Sequence, residues 1–491
     1  MEMTSIESWH PRPGEVLEIR PTEQTLDATR SAAALTARPS LLQESHIRTA
    51  ADRRAKGVPW SPWLAFSFHI PQPLDRDALR RTMQRFVTRH GALLSWFEIP
   101  DDAQIDDSTT FTRRALEADD VELELVDAGV AADTEAARAA ITERFAAGTS
   151  PLEWPSFAAG AIDHGADGFS VYYGVDHSFT DGVSITLAVD DIFRIYQLEA
   201  HGEGAEPAEV GSYVDFSEVE RARSERLTWR TPAVRTWARA LLSVRNKLPS
   251  TSLDIGLEPG ETGPSTRTNR TLADAATMQA FEQRCKAHGG GASAGLFGIL
   301  ALIDVALTGR SSYFVLNTVA TRSEPQYAMA QGWFINLVPV AFRVPRRAGF
   351  DDLVGRAQKS MNRSKAATDV PARAIVDYAA KFGGVKVGAT AVPPMVSYLD
   401  MRRLPGAELP GVDDAHALGG PGTTGDVSMW LNRRTDRTYA LMSYPDNATA
   451  AASIDHYFRA ITELIRAVAS GELVGIETAR AAMGSAVPAT S

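Results

Sequence analysis

The pattern of hydrophobic and polar positions predicts a succession of strands and helices along the first part of the chain. In WLAFSFHI, residues 63–70, every second residue is apolar, which is typical of a half-buried strand. Hydrophobic residues then recur at helical spacing up to Gly91, with Asp75 or Asp77 as the N-cap. Residues 136–147 also predict a helix, whereas residues 1–45 predict loops.

A strand is predicted to run into a helix within FSVYYGVDHSFTDGVSITLAVDDIFRIYQ, residues 169–197. Alternate residues from Phe169 to Val175 are apolar and face one side, and His177 shares their parity. From Asp181 onward the apolar positions follow a helical period. The first turn of a helix presents free N–H groups and a partial positive charge. The sequence therefore predicts that His177 lies at a strand-to-helix junction.

The rest of the chain has the same mixed character, with a linker near its middle. Residues 246–269 are rich in Pro, Gly, Ser and Thr and predict a linker between a first domain, 1–245, and a second domain, 270–475. Residues 476–491 predict a flexible tail. Helices are expected at 216–243, 273–288, 293–307, 350–368 and 453–469, and strands at 312–321, 336–344, 394–400, 426–433 and 437–444.

Composition narrows the class of protein. The 491 residues, 44% hydrophobic and 23% charged, fit a globular protein of two or three domains. A net charge of −11 argues against a nucleic-acid partner. The single cysteine, Cys285, excludes a disulfide framework within the chain and favours a reducing cytoplasm. We see no signal peptide and no apolar run long enough to span a membrane.

A His-x3-Asp-Gly string is weak evidence for chemistry on its own, because a lone histidine near a turn is more often structural. Here, however, VYYGVDHSFTDGVS resembles the HHxxxDG active-site motif of the condensation-domain and CoA-dependent acyltransferase superfamily. That group includes peptide condensation domains, chloramphenicol acetyltransferase, plant BAHD enzymes and the polyketide-associated (Pap) acyltransferases. Further segments resemble its motifs in the same order: RPSLLQESHIR (38–48), RHGALLSWF (89–97), SYVDFSEVER (212–221), QGWFINLVPVAFR (331–343), TDVPARAIVDY (368–378) and the strand pair beginning GDVSMWLN (425–432).

The segments SWHPRPG, HIR and SWF are most similar to the stand-alone Pap branch of actinobacteria. The resemblance implies an α/β (α+β) fold of two chloramphenicol-acetyltransferase-like halves in a V, with an active-site tunnel between them. The second half would supply a floor loop and a latching segment. A covalent pair of halves implies a monomer.

The resemblance also implies roles for the motif residues. His177 aligns with the catalytic histidine and would act as general base. Asp181 would be architectural, paired with an arginine, for which Arg322 is the first candidate and Arg89 the second. Gly182 would let the backbone pack closely and open the helix. The N–H of Gly182 and the hydroxyl of Ser184 are candidates to hold an oxyanion, although Ser184 also fits an ordinary first-turn residue.

Three further sets of residues have expected positions or roles. Trp333, Phe334 and Asn336 are expected either near the floor loop and tunnel or as core residues on a strand. Asp176 stands where most of the family has a first histidine, and is expected to stabilise the loop rather than touch substrate. Basic clusters at 53–56, 346–347 and 401–403 are candidates for a donor phosphate, or else solvated surface.

The function that the resemblance implies is transfer of an acyl group from a CoA or carrier-protein thioester to a small-molecule hydroxyl, in specialised lipid or polyketide biosynthesis. No metal and no permanently bound cofactor is expected, since the thioester is a substrate. Two alternatives stay open at this point. One is a free-standing condensation enzyme that forms an amide with an amine acceptor. The other is an inactive condensation-like module that only binds carrier proteins.

Overall fold

Residue contacts in a computed structural model divide the chain into two units. The structure describes residues 2–58, 62–99, 105–106, 109–244, 248–383, 394–406, 409 and 415–484. The first unit comprises Met1–Ala222, Arg322–Phe334 and Arg403–Gly422, and the second comprises Arg223–Thr321, Ile335–Arg402 and Thr423–Ser491. The units thus differ from the contiguous domains expected from the sequence. Two late segments, 322–334 and 403–422, belong to the first unit.

The first unit is built on a seven-stranded sheet whose order is β1-β14-β4-β9-β8-β2-β7. β9 pairs antiparallel with β4 and with β8, so the strand that leads to His177 is held on both edges. The strands are β1 (Glu2–Ser5), β2 (Gly14–Pro21), β4 (Trp63–Ile70), β7 (Leu123–Ala131), β8 (Phe157–Asp163), β9 (Phe169–Asp176) and β14 (His416–Gly419), and a separate small sheet contains β3 (Ala33–Leu35), β5 (Ser95–Glu98) and β6 (Thr112–Ala115).

Helices of the first unit begin where short polar side chains cap them. Asp75 caps α3 and Asp181 caps α5, in each case by accepting a hydrogen bond from the backbone N–H three residues on. Ser40 and Gln43 form a reciprocal capping box at the start of α2. The helices are α1 (Glu23–Ser31), α2 (Leu41–Ala55), α3 (Arg76–Thr88), α4 (Thr134–Gly148), α5 (Gly182–His201) and α6 (Tyr213–Glu225).

The second unit contains another seven-stranded sheet, of order β12-β11-β13-β16-β17-β10-β15. Its largest apolar core includes the helices α8, α9, α10 and α12, which supply Phe281, Phe297, Leu353 and Phe458 among others. The strands are β10 (Gly263–Asp274), β11 (Ser312–Ala320), β12 (Ile335–Arg343), β13 (Met395–Asp400), β15 (Thr423–Thr424), β16 (Ser428–Arg433) and β17 (Arg437–Pro445), and the helices are α7 (Pro232–Ser243), α8 (Ala275–Ala287), α9 (Ala292–Thr308), α10 (Phe350–Ser364), α11 (Ala372–Gly383), α12 (Ala448–Ala469) and α13 (Ile476–Ala482).

Four expectations about local structure need correction. Residues 1–45 contain β1, β2 and α1 rather than loops alone. The helix expected over 216–243 is two helices, because Pro232 has no N–H to donate and instead begins α7. Part of the expected linker forms β10 from Gly263, and part of the expected tail forms α13, while 246–247 and 485–491 lie outside the described residues.

No single helix among the described residues is long and apolar enough to cross a membrane. The pair α8 and α9 passes the same test only when taken together, and it is bent by 89°.

Candidate active site

His177 stands immediately after β9, in a 3-10 turn, His177–Phe179, that precedes α5. Its backbone N–H donates to the carbonyl oxygen of Pro62 at 3.1 Å. Its ring nitrogen Nδ1 lies 3.1 Å from the carbonyl oxygen of Thr180. Because a carbonyl oxygen can only accept, Nδ1 carries the proton in the neutral ring and Nε2 carries a lone pair. None of the residues that the structure describes hydrogen-bonds to Nε2.

The environment of His177 keeps its imidazole neutral. Burial lowers the pKa of His177, and the neighbouring His46 lowers it further, whereas Asp176 and Asp181 raise it. A neutral imidazole with one nitrogen anchored and the other unoccupied can accept a proton. Trp333 packs against this ring, with 4.4 Å between ring centroids. Trp333 is therefore beside the candidate base.

Asp176 is fully buried and caps the turn that carries His177. Its Oδ1 accepts hydrogen bonds from the backbone N–H of Ser178 at 2.8 Å and from the Ser178 hydroxyl at 2.5 Å. These hydrogen bonds hold the turn, whereas the absence of contact between Asp176 and substrate stays a prediction.

His46 is a residue of this site that the sequence did not single out. Its Nε2 lies 3.1 Å from each carboxylate oxygen of Asp176. Its ring centroid is 6.5 Å from that of His177 and 5.6 Å from that of Trp333. The sequence feature that could have drawn attention to His46 is its position in the RPSLLQESHIR segment. Nothing in that segment alone indicates that its histidine meets a strand end 130 residues later.

Asp181 and Arg322 form the pair that the resemblance implied. The Nη2 of Arg322 lies 3.4 Å from both carboxylate oxygens of Asp181, and both side chains are almost fully buried. The carboxylate also accepts from the backbone N–H of Ser184 at 2.7 Å and of Phe334 at 2.8 Å. Asp181 thus joins the start of α5 to the segment Arg322–Phe334.

Arg322 is held on several sides. Its Nη1 donates to the carbonyl oxygens of Tyr327 and Ala330, and its guanidinium lies 4.2 Å from the centre of the Phe334 ring. Burial lowers the pKa of Arg322, which Asp181 opposes. Arg89, the second candidate partner for Asp181, instead pairs with Asp191, so that alternative is wrong.

Ser184 does not face a substrate. Its hydroxyl donates to the carbonyl oxygen of Gly332 at 2.7 Å and accepts from Arg322, and the residue is fully buried. It is a first-turn residue that ties α5 to the segment Arg322–Phe334, rather than an oxyanion donor.

Gly182 begins α5, as expected, but close packing does not require a glycine there. A β-carbon at this position would meet its nearest neighbour, the Cε atom of Met3, at 3.8 Å. By contrast, a β-carbon on Gly332 would lie 2.5 Å from ring atoms of Tyr213. Of Gly182 and Gly332, only Gly332 lies where the packing requires a glycine.

The side chains of Phe334 and Asn336 are engaged in packing and in hydrogen bonds within the protein. The Phe334 ring is fully buried and packs on Tyr213 and Phe216, with centroids 4.7 and 4.8 Å away. In the second unit, the Asn336 amide nitrogen donates to the carbonyl oxygens of Ala367, Thr368 and Val370, and its oxygen accepts from two backbone N–H groups. Asn336 therefore clamps the turn before α11, and its hydrogen-bonding capacity is used there.

The basic clusters noted in the sequence are partly neutralised. Arg54 pairs with Glu153, Lys56 with Asp52, and Arg402 with Asp400. A denser basic surface lines a groove of about 710 Å³ in the second unit, between α7, β12 and α10. We call it the basic groove; its exposed cations, none of which forms an ion pair with a described residue, are Arg239, Arg343, Arg356, Lys359 and Arg363.

Cys285 is fully buried in the core of the second unit. Burial raises the pKa of its thiol to about 12, so it is not a nucleophile at neutral pH. Among the described residues, no group of three or more His, Cys, Asp or Glu side chains is placed to hold a metal ion.

The model of the Condensation domain family matches residues 63–387, well over half of the chain. The chain belongs to the condensation-domain family. The matched region contains the whole motif around His177 and the segment with Arg322 and Trp333.

Two similar acyltransferases align with this chain over nearly its full length. It is 25% identical over 471 residues to the acyltransferase PapA3 of Mycobacterium tuberculosis, covering 95% of this chain and 96% of PapA3. It is 27% identical over 484 residues to the trehalose-2-sulfate acyltransferase PapA2 of the same species, covering 97% and 99%. The expected similarity to the Pap branch is confirmed, and the chain is an acyltransferase.

Solved structures agree on the fold. A PapA2 acyl transferase matches with a TM-score of 0.85 at 24% identity, over 96% of this chain and all of that one. The first condensation domain of the CDA synthetase matches with a TM-score of 0.67 at 16% identity, over 91% and 98%. The expected α/β fold of the condensation-domain and acyltransferase group is thereby confirmed.

Proposed function

We propose that this acyltransferase moves an acyl group from a thioester to a hydroxyl, forming an ester, with His177 as the general base. The observation that carries the proposal is the anchored ring of His177. Its Nδ1–H is fixed on the Thr180 carbonyl, and its Nε2 lone pair is unoccupied among the described residues. The lowered pKa of His177 keeps that lone pair available at neutral pH.

The reaction needs only proton transfers by this histidine. The acceptor hydroxyl attacks the thioester carbonyl carbon while Nε2 takes its proton, and a carbon–oxygen bond forms. The tetrahedral intermediate then collapses, the carbon–sulfur bond breaks, and the imidazolium returns the proton to the departing thiolate. Ester and free thiol leave, and His177 is again neutral. Because Cys285 is buried, the described residues offer no accessible thiol for an acyl-enzyme intermediate, and the transfer we propose is direct.

The basic groove favours a donor that carries phosphate groups. The five exposed cations form no ion pair with a described residue and outnumber the two carboxylates that also line the groove, Asp351 and Asp352, so the groove has a positive potential in a protein whose net charge is −11. Phosphate oxygens are well matched to arginine side chains. We propose that the positive potential of this groove attracts donors that carry phosphate groups, such as a CoA or phosphopantetheine thioester.

The acceptor class follows from the relatives rather than from the site. PapA2 is named a trehalose-2-sulfate acyltransferase, and PapA1 of Mycobacterium bovis, 26% identical over 475 residues, a 2'-acyl-2-O-sulfo-trehalose (hydroxy)phthioceranyltransferase. Both names describe acyl transfer to a sugar derivative. We propose that the acceptor is a sugar hydroxyl and that the product is a specialised lipid. We also propose that the enzyme is a monomer and lies in the reducing cytoplasm.

The test is an assay of thiol release and product mass with acyl-CoA donors of several chain lengths and a set of sugar, alcohol and amine acceptors. Ester formation by the wild type and its loss in His177→Ala support the proposal. Products from amines alone would favour the amide-forming alternative. Binding of a carrier protein with no acyl product from any donor would favour the inactive module. Equal turnover by wild type and His177→Ala would refute the role of His177.

A further inference from the structure

The buried carboxylate of Asp176 needs a partner, and α2 provides it. Asp176 is fully buried, and its described hydrogen bonds come from Ser178 and from His46. A carboxylate removed from water is stable only when it is paired or hydrogen-bonded. Ser178 belongs to the same turn, so His46 is the group that connects this carboxylate to a different element of the fold.

α2 holds the turn of His177 at two points. Gln43 and His46 are three residues apart and therefore share one face of the helix. The amide nitrogen of Gln43 donates to the carbonyl oxygen of Ser178 at 2.8 Å, and His46 meets Asp176 at 3.1 Å. The residues directly before and directly after His177 are thus both fastened to α2.

His46 also lies beside the reacting group. Its ring is 6.5 Å from that of His177, and it meets Trp333 edge-on at 5.6 Å. The last strand position before His177 holds an aspartate, Asp176. An imidazole is present at that aspartate, and it comes from α2.

We propose that His46 is a positioning residue for acyl transfer, which acts through Asp176 to fix the turn that aims His177. This inference rests on the proposed function, since it takes His177 to be the base.

The test compares two substitutions of His46 that differ in hydrogen bonding. His46→Gln places an amide donor close to the position of Nε2, whereas His46→Leu fills a similar space without a donor. We expect His46→Leu to lower kcat about tenfold to a hundredfold with KM little changed, because a small misplacement of a catalytic group has effects of this order. We expect His46→Gln to restore most of the loss.

A matched control is His164→Gln. His164 lies between β8 and β9, at the end of β9 opposite to His177, and its ring hydrogen-bonds to Pro13 and Ser170 at 2.9 Å each. We expect kcat to be unchanged in this variant. Wild-type kcat in both His46 variants would overturn the proposal, as would equal losses in both, because the hydrogen bond would then not be the cause.

A double-mutant cycle tests the route through Asp176. If His46 acts through this carboxylate, the combination of His46→Leu with Asp176→Asn loses no more kcat than the more impaired single variant. Additive losses would show that His46 acts independently, and would refute the proposal. If His46→Leu does not fold, the same cycle is carried out with His46→Asn, whose shorter amide does not reach Asp176.

The reactivity of His177 separates this inference from the proposed function. Diethyl pyrocarbonate modifies accessible imidazoles, and mass spectrometry of the His177 peptide follows its rate without any acyl donor. We expect severalfold faster modification in His46→Leu than in wild type and His46→Gln. An unchanged rate would refute the positioning role. A wild type that transfers no acyl group would refute the proposed function alone.

Discussion

The Nδ1–H of His177 donates to the carbonyl oxygen of Thr180 at 3.1 Å, three residues along the same turn. This bond leaves Nε2 as the basic nitrogen. Replacement of His177 by alanine or glutamine removes the base but leaves the fold, so we expect kcat to fall by about 10²–10⁴ with little change in thermal stability. Single-turnover assays with a thioester donor measure the loss. A variant that retains a tenth or more of wild-type kcat would contradict this role.

The activity should persist to unusually low pH for a histidine base. Burial and His46 lower the pKa of His177, so the neutral, active form remains as pH falls. We expect kcat/KM to be flat above neutrality and to decline on an acidic limb whose apparent pKa lies below the usual value of about 6.5. A pH profile of the wild type measures it. A limb at or above that value would contradict the effect of burial.

Loss of either partner of the Asp181–Arg322 pair should destabilise the first unit. Asp181→Asn or Arg322→Met leaves one buried charge unpaired, and we expect the free energy of unfolding to fall by about 3–5 kcal/mol. Denaturant unfolding of the single variants measures it. The double variant should lose less than the sum, because it leaves neither charge alone. Full additivity would show that the two charges do not stabilise each other.

Alanine substitutions of the two glycines near the site, Gly182 and Gly332, should have opposite effects on stability. Gly182→Ala has room for its β-carbon and gains helix propensity, so stability should hold or rise by up to about 1 kcal/mol. Gly332→Ala would force atoms to within 2.5 Å of the Tyr213 ring and should destabilise the protein markedly. Thermal unfolding compares the two. Equal effects would contradict the packing described here.

The basic groove should matter only for donors with phosphates. The charge reversals Arg356→Glu and Lys359→Glu, made together, should raise KM for an acyl-CoA about tenfold or more, since each lost phosphate contact weakens charge-assisted hydrogen bonding. KM for the matching N-acetylcysteamine thioester, which has no phosphate, should not change. Arg230→Glu, an exposed residue of the second unit outside the groove, is the control. An equal effect on both donors would remove the groove from donor binding.

Much of the fold can be predicted from the sequence where local pattern and burial coincide. β4 has the bounds expected from its alternation, and the junction at His177 is where the period changes. β2 is missed because a bulge between Glu15 and Leu17 interrupts its alternation. His46 is missed for a different reason, because its significance depends on Asp176, which is close only in the folded chain.

Residues 322–334 belong to the first unit, which limits how chimeras between relatives can be joined. The strands before and after this segment, β11 and β12, belong to the second unit, whereas Arg322 pairs with Asp181 and Trp333 covers His177. A chimera joined at a single point near residue 222 would therefore combine a catalytic histidine from one parent with the supporting arginine and tryptophan from another. A functional chimera therefore requires that residues 322–334 and the motif around His177 come from the same parent.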